Sequence, residues 1–279
     1  NSQDTQQDCM VVADEIVEIL ARGSMSVKAF TFSGNKPDEK VSANGTHVGL
    51  AGYLWSPEAD TIELDIGPPR LGKAKRGRRP EPVTGDYKEA LKPSFTKRVL
   101  TGLAAGVFDP LGLATPITAG FKLDLHQLCE LKLDWDDKVP EELLDKWVTN
   151  MEKIQALRGV TFQRSVIPVD AVDTKIELLV HTDASQHLGV VAIFGRVLRK
   201  NGLYSCQLLT GRSKLLTGMT IPKAELKAAV AGATTAAMVR RNLGDRYGGA
   251  TYCTDSTICL YWITPVSYTH LRAHETPEH

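Results

Sequence analysis

Apolar positions first recur at helical spacing in residues 14–22, where Ile16, Val17, Ile19 and Leu20 form one stripe and Gly23 supplies a stop. Residues 25–32 alternate instead, with Val27, Ala29 and Thr31 on one face, which predicts a strand ahead of the turn at Ser33-Gly34-Asn35. Residues 48–55 and 61–66 read as two strands of a hairpin joined through Ser56-Pro57-Glu58-Ala59-Asp60. From Thr96 the pattern is helical. Phe108-Asp109-Pro110-Leu111-Gly112 is a tight turn, Phe121, Leu125, Leu128 and Cys129 share one helix face, and Pro140 opens a helix with the core stripe Leu143, Trp147, Met151 and Ile154.

The period changes to two at Lys175. Strands are predicted over residues 176–182, 190–197 and 204–210, then an Ala-rich helix from Pro222 to about Arg240, a strand over 250–254 and a helix from Ser256. The order β-β-β-α-β-α describes an α/β domain whose mixed sheet combines an antiparallel meander with a crossover.

Composition narrows the classes. At 42% hydrophobic and 24% charged residues, 279 residues can bury a core, and no run of about 18 apolar residues suggests a membrane span. Five scattered cysteines without a C-x-x-C pair argue against zinc and disulfide frameworks, and a reducing compartment such as the cytoplasm is expected. Lys and Arg total 33 against 33 Asp and Glu, so any affinity for polyanions must be local. One local cluster stands out: six of the ten residues 70–79 are basic, namely Arg70, Lys73, Lys75, Arg76, Arg78 and Arg79. Two readings stay open for it, a solvated linker loop and a phosphate-contacting arm.

Three carboxylates are candidates for chemistry. Asp183 follows the apolar run IELLVHT, Asp255 ends the run ATYCTD, and Glu225 lies one turn into the helix that starts at Pro222. Carboxylates at two strand ends plus one on a covering helix can converge on one sheet edge, and such hard oxygen ligands suit Mg2+ or Mn2+. Each has a bland alternative. Asp255 before Ser256-Thr257 is placed to cap a helix, and an early-helix Glu complements the dipole.

An ordered set of motifs runs through most of the chain: Thr96-Lys97-Arg98-Val99-Leu100, Phe108-Asp109-Pro110-Leu111-Gly112-Leu113 with Pro116, and Leu133-Asp134-Trp135-Asp136. It continues with Thr182-Asp183-Ala184-Ser185, Ile221-Pro222-Lys223-Ala224-Glu225-Leu226, and Thr254-Asp255-Ser256-Thr257 with Trp262-Ile263. This set resembles the post-polymerase part of a Pao/BEL-type LTR retrotransposon polyprotein. The resemblance implies a ribonuclease H-like domain over 175–263, with Asp183, Glu225 and Asp255 as three of its metal-binding carboxylates. It further implies a palm-end and primer-grip hairpin over 1–66, a basic linker over 67–95 and a helical connection over 96–174.

The polymerase signature Tyr-x-Asp-Asp is absent, so polymerase activity is not implied. No Asp follows Asp255 to serve as the fourth carboxylate of the family, so truncation is expected to impair cleavage. Residues 266–276 resemble a translated sequencing adapter, and 264–279 are expected to be an artefactual tail without packed structure. Implied partners are an RNA–DNA hybrid and the rest of the pol polyprotein, with no membrane, and with virus-like particles or the nucleus as further locations. Two other readings compete: a non-catalytic nucleic-acid-binding relic, and an α/β phosphotransferase, which the single Gly in Ser185-Gln186-His187-Leu188-Gly189 disfavours.

Overall fold

The structure is a computed structural model and describes residues 5–42, 44–71, 81–83 and 85–264. The expected tail beyond Thr264, and the basic residues Lys73, Lys75, Arg76, Arg78 and Arg79, lie outside the described residues. The chain divides into two compact units, one built from residues 1–67, 108–110 and 155–165, the other from the remainder.

In the first unit, helix α1 (Gln6–Arg22) starts at Thr5, whose hydroxyl accepts the Asp8 amide at 3.2 Å. Residues 25–32 form no strand, contrary to the expectation from their alternation. Alternation defines two faces, but a strand also needs a neighbouring backbone to complete its ladder, and among the described residues none pairs there.

A four-stranded antiparallel sheet follows, with order β1 (Val48–Leu50), β2 (Tyr53–Ser56), β3 (Thr61–Leu64) and β4 (Thr161–Gln163). The expected single strand over 48–55 is thus two strands. Ala51 and Gly52 both take positive φ, 50° and 92°, which is the backbone of a two-residue hairpin turn. Gly52 is obligatory there, because a Cβ would overlap the Phe108 ring. The Tyr53 hydroxyl donates to the Asp109 carboxylate at 2.7 Å.

β4, which no sequence pattern announced, is held by one carboxylate. Asp60 accepts from Arg164 (2.6 and 3.0 Å), from the Trp55 indole (3.1 Å) and from the Ser33 hydroxyl (3.0 Å). Burial pushes the Asp60 carboxyl upward, but the hydrogen bonds from Arg164 and Trp55, the Arg164 charge and the Ser33 hydroxyl outweigh it and leave it below the ordinary value.

The second unit opens with helices α2 (Tyr87–Leu91), α3 (Lys97–Ala105), α4 (Thr115–Glu130) and α5 (Leu144–Gln155). Trp147, Met151 and Ile154 of the expected stripe are buried, with Leu144 in place of Leu143. A short 3-10 turn over Glu141–Leu143 ahead of α5 explains that one-residue slip. Phe121 and Trp147 pack with ring centroids 5.4 Å apart. Arg98 makes a bidentate pair with Asp136 at 2.8 and 3.0 Å and stacks on Trp135, so two of the sequence motifs close on each other.

The second sheet has order β7-β6-β5-β8, from β5 (Ile176–Ala184), β6 (Leu188–Leu198), β7 (Tyr204–Leu215) and β8 (Tyr247–Cys253). β5–β6 and β6–β7 are antiparallel and β5–β8 parallel, reached through helix α6 (Ile221–Leu243). Helix α7 (Thr257–Ile263) follows. The core joins Ile176, Leu178, Val180, Val191, Ile193 and Val197 to Ala236 of α6.

α6 meets the sheet through Ala224, Ala228, Gly232, Thr235 and Ala236, a stripe of small residues that brings two backbones close. Gly232 sits where a Cβ would overlap Thr182 Cγ2. Val230, an apolar residue of the same helix, is 57% exposed. The sheet-facing row advances by four from Ala224, and Val230 falls outside that row.

β7 continues to Leu215 rather than ending at Thr210. Its extension is braced by the segment before α4, where the Gly211 amide and Thr210 hydroxyl both donate to the Leu111 carbonyl, at 2.9 and 2.7 Å. Gly112, at φ 75°, lies so near Gly211 that neither position has room for a Cβ. Among the described residues no helix is long and apolar enough to cross a membrane.

Candidate carboxylate edge of the second sheet

β5 buries Ile176, Leu178, Val180 and Ala184 on one side and turns Glu177, Leu179, His181 and Asp183 to the other. The face of Val180 and Thr182 is the one that α6 covers, as their closeness to Gly232 shows. Asp183 therefore stands on the open face, exposed, and inside β5 rather than after its end.

The parallel register of β5 and β8 pairs His181 with Cys253. Two residues further along come Asp183, still within β5, and Asp255, just past the end of β8. Both line one cleft of about 460 Å³, with His181 and Cys253 as the preceding rung and Val190 and Ala192 of β6 beside them.

Asp255 is not a helix cap. Ser256 performs that task for α7, its hydroxyl accepting the Cys259 amide at 3.2 Å, which leaves the Asp255 carboxylate exposed. Neither Asp183 nor Asp255 has an ion-pair partner among the described residues.

Glu225 lies beyond the first turn of α6 and is half-buried, but it does not line this cleft. Its helix start nonetheless sits at the same end of the sheet. Ala224 packs in one cluster with Ala184, next to Asp183, and the Cys259 thiol of α7 lies 3.7 Å from the Pro222 carbonyl. The structure thus brings Asp183 and Asp255 together and places Glu225 on the helix over the opposite face. Among the described residues no group of three or more His, Cys, Asp or Glu side chains is close enough to hold a metal ion. The donor chemistry of the aspartate pair, hard and anionic oxygen, fits a divalent ion such as Mg2+.

Of the basic cluster over 70–79 only Arg70 among its cations is described, in an antiparallel bridge with Pro82. Three other cations, Arg212, Lys214 and Lys227, gather around a groove between β7 and α6. The strand period of two puts Arg212 and Lys214 on one face, but the expected strand stopped short of both.

An antiparallel three-stranded meander, a crossover helix and a parallel fourth strand, with carboxylates at the end shared by the two parallel strands, define a ribonuclease H-like domain. Residues 96–256 match the family model described as "Pao retrotransposon-like RNaseH-like domain". The chain belongs to that family. Among solved structures it is similar to a foamy viral protease-reverse transcriptase (dRH) in complex with double-stranded DNA, at 14% identity and a TM-score of 0.39. That similarity covers 79% of this chain, which spans 33% of the viral one. No curated protein matches the chain.

Proposed function

We propose that the second unit hydrolyses the RNA strand of RNA–DNA hybrids as part of a Pao/BEL-type pol polyprotein, with Asp183 and Asp255 as the metal-holding carboxylates. The observation that supports this reading is that both line one open cleft at the same end of two parallel strands, without an ion-pair partner among the described residues. Two bare carboxylates in one cleft repel each other, and a divalent cation relieves the repulsion. Mg2+ or Mn2+, when bound, supplies an activated water and neutralises charge on the leaving 3′ oxygen. The residues that would hold it are Asp183 and Asp255; Glu225, which lies outside the cleft they line, is the third ligand by resemblance alone. The substrate would be read by groove shape and 2′-hydroxyls, which needs no base-specific side chains in the cleft.

The test is a cleavage assay on a labelled hybrid with Mg2+, for the wild-type chain and for Asp183→Asn, Asp255→Asn and Glu225→Gln. Loss of cleavage in both aspartate variants, each folded by circular dichroism, is the expected result. Cleavage that persists in either one overturns the assignment.

The lack of a three-carboxylate group among the described residues favours a second reading, a hybrid-binding domain without hydrolysis. It predicts binding with no Mg2+-dependent product from the wild-type chain.

A further inference from the structure

On the sheet face that α6 covers, a groove of about 510 Å³ runs between β7 and the helix. Gly189 and Val191 form its floor, Arg212 and Lys214 one wall, and Lys227 and Ala231 the other. Arg212, Lys214 and Lys227 are all exposed, and none has an ion-pair partner among the described residues. Among the described residues no Asp or Glu lines the groove.

The charge of Arg212 is felt by a lysine outside the groove. Lys122 of α4, which donates to the Ser213 carbonyl and hydroxyl at 2.8 Å each, is held below the ordinary ammonium value by burial and by the nearby Arg212 charge. Like charges gathered without counter-charges raise the local potential and favour an anionic ligand.

The remaining polar groups narrow the ligand. Thr234 and Thr235 spend their hydroxyls on the Val230 and Ala231 carbonyls of their own helix, both at 2.8 Å, and the Ser213 hydroxyl is taken by Lys122. The groove therefore offers mainly charge and apolar surface, and no side-chain amide lines it among the described residues to pair with a base edge. Among the described residues it also has no aromatic lining on which unpaired bases could stack, unlike surfaces that hold single strands. Arg212 and Lys214 stand two residues apart on one strand, about 6.7 Å, a repeat comparable to that of successive phosphates.

We infer that this groove binds the phosphodiester backbone of a nucleic-acid duplex, through Arg212, Lys214 and Lys227, independently of the carboxylate cleft. The cleft lies on the other face of the sheet, so the two sites engage different parts of a ligand. Lys227 follows Glu225 by two residues on α6, so a backbone seated here runs past the end of the sheet that carries the aspartates.

The test measures binding of the full chain to a short fluorescent RNA–DNA hybrid by anisotropy across a salt series, in EDTA, so that it stands apart from any cleavage result. Arg212→Gln, Lys214→Gln and Lys227→Gln combined should weaken binding at least tenfold and flatten the log-log salt dependence by about 0.9 for each lost phosphate contact. A charge-matched control, Lys153→Gln, Lys200→Gln and Arg241→Gln, should retain the wild-type slope. Asp183→Asn should bind at least as tightly as wild type, even if it abolishes cleavage. An unchanged slope in the groove triple variant, or the same loss in the control, overturns the inference. So does equal competition by an acidic polypeptide at matched charge.

Discussion

Gly232→Ala tests how α6 reaches the sheet. In a helix interior Ala is favoured over Gly by about 1 kcal/mol, so an unhindered site would become more stable. Here the new methyl would overlap Thr182 Cγ2, and the next neighbour, Val180 Cγ1, stands 3.3 Å away. Thr182 is β-branched with a stiff χ1 and belongs to a central strand, so it yields poorly. Overpacking of this kind costs about 1–3 kcal/mol. The net effect is a loss of up to about 2 kcal/mol, and for a unit of this size Tm falls by about 2–4 °C per kcal/mol. Thr182→Ser removes the offending methyl, so Gly232→Ala in that background should recover the helix gain. Urea melts of the four proteins, followed by circular dichroism, should return a coupling of at least about 1 kcal/mol. A Gly232→Ala protein that melts above wild type, or a cycle that closes within about 0.3 kcal/mol, would refute the close approach of Gly232 to Thr182.

Asp60 makes the first unit acid-sensitive: a carboxyl lowered in the folded state contributes stability above its unfolded pKa, and that contribution is lost as pH falls through the folded value. Melting of the first unit should therefore weaken below about pH 4, and Asp60→Asn should lower its stability at neutral pH while removing that acid step; an acid transition that survives the substitution counts against it. Gly112→Ala combines a positive φ with direct overlap on Gly211, so it should cost about 3 kcal/mol or more, read as a lowered urea midpoint, whereas Gly159→Ala, at the same φ but with open space around it, should cost only about 1–2 kcal/mol. Asn150→Ala strips a hydrogen bond from the buried Asp124 carboxylate, which Lys146 also pairs, and should cost about 1–3 kcal/mol in the same assay. A neutral result there would mean that Lys146 alone satisfies Asp124.

The second sheet was legible because its strands carry long apolar runs of the right period, and its helix carries a proline start. The order of elements from Ile176 to Ile263 follows directly from that alternation. Element ends were less legible. β7 runs on through Arg212 and Lys214, whose charges mask a strand that is paired on β6 and braced by Leu111. The first unit was harder for a different reason. The turn at Ala51-Gly52 puts an alanine at positive φ, and β4 exists because Asp60 and Arg164 attract each other across a long stretch of sequence. Neither cause leaves a local signature. At the candidate site, the match of Asp183 and Asp255 depended on strand register, which the crossover rule anticipates. The side-chain position of Glu225 depended on helix rotation, which an Ala-rich stripe specifies only weakly.

The parallel pairing of β5 with β8 also orders events in time. β5, β6 and β7 are joined by short turns and can pair as soon as they leave the unfolded chain, whereas β8 must wait for the whole of α6 to form and cross over. Contacts separated by a longer chain segment close later and set the rate of assembly. On that order Asp255, which follows β8, is expected to join Asp183 only after the meander has paired. Pulse-labelled hydrogen exchange during refolding should find the β8 amides protected after those shared by β5 and β6. Simultaneous protection would show instead that the sheet condenses as one unit.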